Sequence, residues 1–328
     1  MPWQVRTMVY KFVFLINPVS GGGQGNVIYQ YLPEIMKSMN FAEDQWKSEF
    51  TRVENQDEQI RQALASTETL IAVGGDGTVS SVLSVMVSSP YAKTVKIGLI
   101  PLGTGNDLAR VLNLYKPYVD RGLLFLVRRL LLAKARPFDI WKLNGKYAFA
   151  NYFSGGIDAR IAHDFNYDRS TGAISSKSVI ANRIHYVKCF FADRSYRLSR
   201  GNLRYVDENG ELRTRGINRN RTIIVGNIPS FAGGSNPFYK SDMADGLLEV
   251  VCVPSMPKFL VAIAVGSIPV IGNIVKKFFL VTRKARSVQL EFAENEFLQL
   301  DGEDLSGKVG ENVNIEYANQ VQILALGG

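Results

Sequence analysis

Three glycine-rich segments, each placed directly after a short apolar run, constrain this chain more than any other feature. The segments lie at residues 17–25, 74–78 and 103–107, after apolar runs at 9–16, 69–73 and 95–101. Helix-like stretches separate the runs, and alternating strand and helix signals are typical of a parallel α/β sheet. Open α/β sheets bind ligands at the carboxyl ends of their strands. The sequence therefore predicts a parallel sheet with a ligand site built from these loops.

Glycine-rich loops that precede helices suit phosphate groups, because backbone N–H groups can approach closely and the helix N-terminus adds positive potential. The hydroxyls of Ser20, Thr78 and Thr104 can donate hydrogen bonds to phosphate oxygens. Asp76 and Asp107 would repel phosphate directly, so they indicate Mg²⁺ binding or proton handling. Tight turns and helix caps explain any single loop as well, but three together favour a nucleoside triphosphate.

Composition and missing motifs narrow the ligand further. Lys and Arg number 38 against 30 Asp and Glu, a net charge of +8 that favours anionic partners. Two cysteines and two histidines exclude a disulfide framework and disfavour a zinc site. The chain has neither a GxxxxGK[ST] loop nor a dinucleotide-binding GxGxxG, which disfavours P-loop NTPases and nicotinamide dehydrogenases. No nucleic-acid-binding motif accompanies the basic charge, so we expect no nucleic-acid partner.

The second half of the chain has a different pattern. From residue 140 onward the apolar runs are short and strand-like, and Asn144-Gly145 and Asn209-Gly210 are hairpin turn signals. An antiparallel β domain is predicted, with a helical insertion at about 161–196. The predicted fold class is α/β plus β: an N-terminal parallel α/β nucleotide-binding domain and a C-terminal antiparallel β domain.

Six ordered motif blocks resemble the catalytic domain of the diacylglycerol kinase family, within the lipid-kinase group that includes sphingosine and ceramide kinases. The blocks lie at residues 17–22, 74–79, 101–110, 151–159, 227–236 and 245–250, and 301–303 close the set. The resemblance implies that the β domain is a β-sandwich and that ATP binds in the cleft between the domains. We expect an ATP-binding catalytic domain at 1–137, to which a tail at about 308–328 returns, and a lipid-substrate domain at 138–307.

The resemblance also implies which residues bind the cofactors. The expected ATP-binding residues are Asn17, Pro18, Ser20, Gly21, Thr51, Gly74, Gly75, Asp76, Gly77, Thr78, Gly103, Thr104, Gly105, Asn106 and Asp107. A structural Mg²⁺ is expected among Asp242, Asp245 and Leu247, with carbonyl oxygens contributing, and Asp107 is a further candidate metal ligand. A plain hairpin turn at Asp245-Gly246 is the alternative.

Phosphoryl transfer to a hydroxyl requires positioning, Mg²⁺ and a base near the hydroxyl. Asp301 and Glu303, one glycine apart on a strand-like segment, would face the same side, and crowding would raise the pKa of one carboxyl. One would deprotonate the lipid hydroxyl while the other binds Mg²⁺. Which does which stays open, and Asp76 is a third candidate for catalysis. The alternative is a hairpin with two solvated acids.

A lipid substrate requires contact with a membrane. Residues 259–275 carry no charge, and we expect them to form a buried or membrane-touching helix pair rather than a transmembrane anchor. One basic region follows this stretch and consists of Lys276, Lys277, Arg283, Lys284 and Arg286. A second basic region precedes it and consists of Arg194, Arg197, Arg200, Arg204, Arg213, Arg215, Arg219 and Arg221. The expectation is peripheral binding to the anionic cytoplasmic face of the membrane, with oligomers possible.

The predicted function is transfer of the γ-phosphoryl group of ATP, with Mg²⁺, to the primary hydroxyl of diacylglycerol, which gives phosphatidic acid. Three alternatives are a kinase of a sphingoid, ceramide or monoacylglycerol lipid, an NAD-kinase-like enzyme, and an inactive nucleotide- and membrane-binding protein. His163 and His185 are expected to be structural, and Cys189 and Cys252 to lie in the core.

Overall fold

The structure is a computed structural model of the 328-residue chain. It describes residues 9–103, 105–170, 196–238, 240–265, 268 and 270–327. The chain divides into two compact units, the first formed by Met1–Ile140 with Ala318–Gly328 and the second by Trp141–Tyr317. The expected helical insertion is described only in part, since residues 171–195 lie outside the described ranges.

The first unit contains a parallel sheet in the strand order β2-β1-β3-β4-β15. Its strands are β1 (Tyr10–Ile16), β2 (Trp46–Phe50), β3 (Thr67–Gly74), β4 (Lys96–Pro101) and the last residues of β15 (Asn312–Ala325). Its helices are α1 (Ser20–Ser38), a 3-10 turn (Glu43–Gln45), α2 (Gln56–Ala65), α3 (Asp76–Met86), α4 (Asp107–Val111) and α5 (Tyr115–Leu131). Strand β5 (Lys134–Leu143) follows α5 and runs into the second unit.

Burial explains why these apolar runs form central strands. Every residue from Phe12 to Ile16 is buried, and β3 and β4 are almost fully buried as well. Parallel strands covered on both faces have this continuous apolar pattern, whereas strands with one wet face alternate. The register places Phe14 beside Ile71 and Ile71 beside Gly98, so the ends of β1, β3 and β4 are level. The loops that follow these strands consequently begin at one edge of the sheet.

The second unit is built from antiparallel strands. They are β6 (Tyr147–Phe149), β7 (Tyr152–Gly156), β8 (Asn202–Asp207), β9 (Leu212–Gly216), β10 (Thr222–Gly226), β11 (Leu248–Val253), β12 (Val281–Glu291), β13 (Leu298–Leu300), β14 (Glu303–Asp304) and the first residues of β15. Their order is β14-β13-β7-β10-β11-β12-β15; β8 pairs with β12 and β9, and β5 with β6. Its helices are α6 (Ile157–Ser170), α7 (Met256–Val265) and α8 (Ile271–Phe279).

Alternating side chains of these strands enter two different cores. In β10, Ile223 and Val225 enter a core formed mainly by strand residues, with Trp141 and Phe153, whereas Ile224 faces a second core. That second core is closed by α6 and α7, through side chains that include Ile161, Met256 and Phe259. The period of two along a strand produces this division. The predicted fold class, α/β plus β, is confirmed.

The two basic regions are not exposed throughout. Arg221 and Lys276 are both buried, while Arg194 lies outside the described residues. Among the described residues, no helix combines the length and the hydropathy needed to span a bilayer.

Candidate active site

The first loop is locked against the start of its own helix. The Asn17 side chain accepts a hydrogen bond from the Val19 backbone N–H and donates one to the Thr78 hydroxyl, both at 3.2 Å. A Cβ atom at Gly25 would lie 2.0 Å from the Asn17 carbonyl oxygen, so only glycine permits this approach. Residues 21–23 are glycines with positive φ values of 64–95°. This conformation turns the chain from β1 into α1.

The second and third loops touch backbone to backbone. A Cβ atom at Gly103 would lie 2.8 Å from the Gly75 Cα atom, which no side chain tolerates. The Leu102 N–H donates to the Gly74 carbonyl at 2.8 Å, and the Asn106 N–H donates to Asp76 Oδ2 at 2.9 Å. The loop after β3 and the loop after β4 therefore form one structural element.

Asn106 organises the third loop. Its side chain binds both the N–H and the carbonyl of Gly103, and its own backbone is left-handed with φ 50°. Asp107 then starts α4 and is buried. A Cβ atom at Gly105 would lie 3.1 Å from Asp76 Oδ2 and 3.9 Å from Asp107 Oδ2, so both carboxylates border this one position.

The three loops form a cradle suited to a phosphate chain. They supply glycine backbone, hydroxyl groups and the N-termini of α1 and α3, all of which favour anions. Mg²⁺ is held in phosphate sites by one or two carboxylates together with the phosphates themselves. Asp76 and Asp107, converging beside Gly105, fit that donor set. The cradle brings together the predicted residues Asn17, Pro18, Ser20, Gly21, Gly74, Gly75, Asp76, Gly77, Thr78, Gly103, Gly105, Asn106 and Asp107, while Thr104 lies outside the described residues.

Thr51 lies at the same edge, directly after β2, where its N–H donates to the Ile16 carbonyl at 2.9 Å. The sequence interpretation overlooked the residue that supports this turn. Buried Gln59 of α2 accepts from the Arg52 N–H at 2.9 Å and donates to the Phe50 carbonyl at 2.8 Å. A glutamine on the inner face of an amphipathic helix was the available signal, because a buried amide requires partners.

In the second unit, Asp301 and Gly302 form the turn between β13 and β14. Their φ values are 50° and 88°, and Leu300 pairs directly with Glu303 across the hairpin. The expectation that Asp301 and Glu303 face one side of a strand is therefore wrong. Asp-Gly is a preferred dipeptide for two-residue turns in which both residues have positive φ. Which of the two acids acts in catalysis stays a prediction.

Backbone N–H groups hold the Asp301 carboxylate in place. Oδ1 accepts from Asn151 and Tyr152 at 3.0 and 2.9 Å, and Oδ2 accepts from Ala150 at 3.1 Å. Hydrogen bonds to an ionised carboxylate are stronger than neutral ones. Glu303 is exposed, so only Asp301 of this acid pair has an orientation fixed by the fold.

A buried polar network that the sequence interpretation missed supports the same turn. The Gly302 N–H donates to Gln299 Oε1 at 2.8 Å, and Gln299 Nε2 donates to Ser154 at 2.8 Å and to Asp158 at 3.2 Å. Ser154 also donates to the Asp158 carboxylate at 2.5 Å. All three side chains are buried. Satisfied buried networks fix a local conformation, so this network sets the position of the hairpin.

A second set of contacts shapes the segment that binds Asp301. Asn227 accepts from the Trp141 indole N–H at 2.9 Å and donates through its side chain to the Ala150 carbonyl at 3.0 Å. Its backbone N–H donates to the Asn151 carbonyl at 2.8 Å. The Asn151 Oδ1 atom is buried and has no hydrogen-bond partner among the described residues.

The expected structural Mg²⁺ site does not fit its surroundings. The Lys284 ammonium lies 2.6 Å from Asp245 Oδ2 and 3.6 Å from buried Glu249. The other Asp245 oxygen accepts from the Leu247 N–H, and Asp242 accepts from its own turn. Burial raises the pKa of Glu249 to about 8, although the Lys284 ammonium acts against this. The described residues contain no group of three acidic, His or Cys side chains that could hold a metal. A lysine thus already supplies the positive charge.

Replacing Lys284 with methionine is expected to lower the free energy of unfolding by about 1–3 kcal/mol, because a partly buried carboxylate loses its cation. Thermal denaturation without nucleotide, in Mg²⁺ or in chelator, measures this. The wild-type melting temperature is expected to be the same in both, while the variant gains a dependence on Mg²⁺. Lys277→Met, at an exposed lysine, is the matched control. A wild-type melting temperature several degrees higher in Mg²⁺ than in chelator would contradict the conclusion that Lys284 takes the place of the metal.

The remaining candidate residues are two histidines and two cysteines. His163 binds Asp304 at 2.9 Å. Burial acts to raise the pKa of Asp304, but hydrogen bonds from Ser306 and His163 outweigh it and hold the pKa below its usual range. Cys252 is buried, and burial raises the pKa of its thiol to about 11. His185 and Cys189 lie outside the described residues.

Comparison with curated proteins identifies relatives of known name. The chain is 29% identical over 280 residues to the eye-specific diacylglycerol kinase of Drosophila melanogaster, which covers 74% of this chain and 18% of that relative. It is 27% identical over 255 residues to the diacylglycerol kinase of Bacillus subtilis, covering 77% of each. The chain spans 26% of the length of mouse diacylglycerol kinase iota.

Solved structures and family models agree with these relatives. A crystal structure of a putative diacylglycerol kinase from Bacillus anthracis superposes with a TM-score of 0.68 over 96% of this chain and 97% of that chain, at 17% identity, which shows a common fold. Residues 11–143 match the model of the diacylglycerol kinase catalytic domain, and residues 148–304 match that of the diacylglycerol kinase accessory domain. The chain belongs to the diacylglycerol kinase family.

Proposed function

We propose that this chain is a lipid kinase that transfers the γ-phosphoryl group of ATP to the primary hydroxyl of diacylglycerol, giving phosphatidic acid and ADP. The observation that carries the proposal is the cradle of three interlocked glycine-rich loops in a chain of this family. Such a cradle suits a triphosphate, and phosphoryl transfer consists mostly of positioning and charge stabilisation.

The roles of the chain's residues follow from their positions. Backbone N–H groups of the three loops bind the phosphates, and Asn17 holds Thr78 with its hydroxyl near them. Asp76 and Asp107 would hold Mg²⁺, which neutralises charge on the transferring phosphoryl group when bound. Because Asp76 also accepts the Asn106 N–H, a change at Asp76 alters both the charge and the connection between the loops.

For the acceptor side we propose Asp301 as the general base. The lipid hydroxyl oxygen forms a bond to the γ-phosphorus, the bond from that phosphorus to the β–γ bridging oxygen breaks, and the hydroxyl proton passes to the carboxylate. A base must be held in a fixed position near the proton that it takes, and three backbone N–H groups hold Asp301. Asn151, whose backbone N–H donates one of these three bonds, also has a buried side-chain oxygen with no hydrogen-bond partner among the described residues.

We also propose that the protein acts at the cytoplasmic face of the membrane, bound peripherally. Diacylglycerol is confined to the bilayer, so its kinase must reach the lipid surface, while ATP is supplied from the cytoplasm.

The proposed function is tested with purified protein, labelled ATP, Mg²⁺ and mixed micelles that contain diacylglycerol, monoacylglycerol, sphingosine or ceramide. Labelled phosphatidic acid is expected from the wild type and from Asp44→Asn, an exposed acid on the 3-10 turn. Asp76→Asn is expected to lose at least about 100-fold in rate. Label on another lipid would identify that lipid as the substrate in place of diacylglycerol. If no phosphoryl group is transferred to any lipid while ATP still binds, the kinase proposal is wrong. The protein would then be a nucleotide-dependent membrane protein without kinase activity.

A further inference from the structure

Helix α8 presents an apolar stripe to the outside. Ile271, Ile274 and Phe278 form one stripe along the helix, and all three are exposed, Phe278 by 76% and Ile271 by 55%. The buried positions of the helix are Gly272 and Lys276. A helix that borders water normally directs its apolar stripe to the core and its lysines outward. The exposed apolar stripe of α8 is therefore suited to contact with an apolar partner rather than with water.

Lys276 fixes this orientation. Its side chain is only 1% exposed, and its ammonium donates to the Phe238 carbonyl at 2.8 Å. Phe238 is itself fully buried and rests against Gly226, where a Cβ atom would lie 2.2 Å from the ring. A rotation of α8 about its axis that buried the apolar stripe would break this hydrogen bond and move the Lys276 side chain out of its buried position. The apolar face is consequently presented outward by the fold.

The exposed apolar surface extends from α8 to its neighbour α7, against which it packs. Helix α7 buries Met256, Phe259 and Ala262 in the core and leaves Val261 half-exposed on its other side. Between the helices, Ile268 and Val270 are also exposed, Val270 by 70%. We call these six residues the apolar platform: Val261, Ile268, Val270, Ile271, Ile274 and Phe278. A group of exposed apolar side chains on two helices that pack together marks a site of protein or membrane contact.

The charge around the platform indicates which partner it contacts. Residues 250–290 contain six lysines and arginines and no aspartate or glutamate. Lys258, Lys277, Arg283 and Arg286 of this segment are exposed. A second copy of the chain would bring two basic surfaces together and is disfavoured by repulsion. An anionic bilayer supplies both an apolar interior and negative charge at its surface.

We propose that the apolar platform inserts into the boundary between headgroups and acyl chains of an anionic membrane, with the surrounding lysines and arginines bound to lipid headgroups. This deepens the proposed function by assigning the surface that reaches the substrate's bilayer. The inference rests on the proposed function only in so far as that function explains why the protein binds a membrane. The binding itself requires neither ATP nor turnover.

Sedimentation of the full chain with phosphatidylcholine vesicles, with and without phosphatidylglycerol, tests the proposal. The wild type is expected to bind the anionic vesicles, and less so at high salt. Ile274→Ser with Phe278→Ser is expected to lower vesicle binding by at least about 10-fold, because the inserted apolar area is lost. Lys258→Gln with Lys277→Gln is expected to weaken binding to the anionic vesicles. Leu212→Ser, at an exposed leucine of β9, is the matched control and should bind like the wild type.

The same variants separate this inference from the proposed function. On a short-chain, water-soluble diacylglycerol, Ile274→Ser with Phe278→Ser is expected to keep the wild-type turnover. Vesicle binding without kinase activity would overturn the function and leave the platform standing. Wild-type vesicle binding by the platform variant would overturn the platform. A wild-type dimer that the platform variant converts to monomer in sedimentation velocity would show a protein interface instead, and would also overturn it.

Discussion

Asp301→Asn is expected to lower the rate of lipid phosphorylation by at least about 100-fold, the smallest contribution usual for a general base. The amide would replace an oxygen that now accepts a backbone N–H with a group that donates, so the unfolding free energy should also fall by about 1–3 kcal/mol. Steady-state assays with diacylglycerol micelles and chemical denaturation measure the two effects separately. ATP affinity should stay near the wild-type value, because the three glycine-rich loops proposed to bind ATP are unchanged.

The pH profile distinguishes lost chemistry from lost structure. If Asp301 takes the proton, the residual activity of Asp301→Asn should rise steadily with pH as hydroxide replaces the base, whereas a purely structural defect would keep the wild-type profile. Glu294→Gln, at an exposed acid before β13, is the matched control. A folded Asp301→Asn that keeps more than a tenth of the wild-type rate would move the base to Glu303 or Asp76.

The second large effect is expected at Gly103. In Gly103→Ala the added carbon would lie 2.8 Å from the Gly75 Cα atom and 2.9 Å from Asn106 Oδ1, so the backbone has to move. The loops after β3 and β4 would separate, and the bond from the Asn106 N–H to Asp76 would be lost. We expect ATP affinity, measured by titration calorimetry, to fall by at least about 100-fold, since small displacements of positioning groups have effects of this size.

Gly327→Ala is the matched control for this change, because no heavy atom lies within 4 Å of its added carbon. It belongs to the same unit and should bind ATP like the wild type. ATP binding by Gly103→Ala at wild-type affinity would show that the two loops do not need their present contact, and would contradict the cradle described above.

Most of the features predicted from the sequence follow from patterns among neighbouring residues. A buried parallel strand is a continuous apolar run, and the glycine loops after β1, β3 and β4 follow from close backbone approaches that only glycine allows. The wrong alternation expected for Asp301 and Glu303 came from overlooking a local signal: Asp-Gly favours a two-residue turn. The predicted roles of the individual cofactor-binding and catalytic residues stay predictions.

Several contacts that the sequence did not reveal join residues that are far apart in the chain. Gln299 binds Ser154, Lys276 binds the Phe238 carbonyl, and Lys284 binds Asp245. Nothing near Lys284 in sequence indicates that it supplies the charge expected from a metal. Nor does the apolar stretch at 259–275 indicate which of its faces is buried.

The sequence by itself determined the fold class and the family, because apolar periodicity, turn residues and ordered motifs are properties of neighbouring residues. Only the tertiary structure decided the environment of each charged group. The Asp301 carboxylate is held by backbone N–H groups about 150 positions earlier, and the burial of Lys276 turns the apolar stripe of α8 outward. Hydrogen bonding and burial depend on segments that meet only when the chain is folded, so no local pattern encodes them.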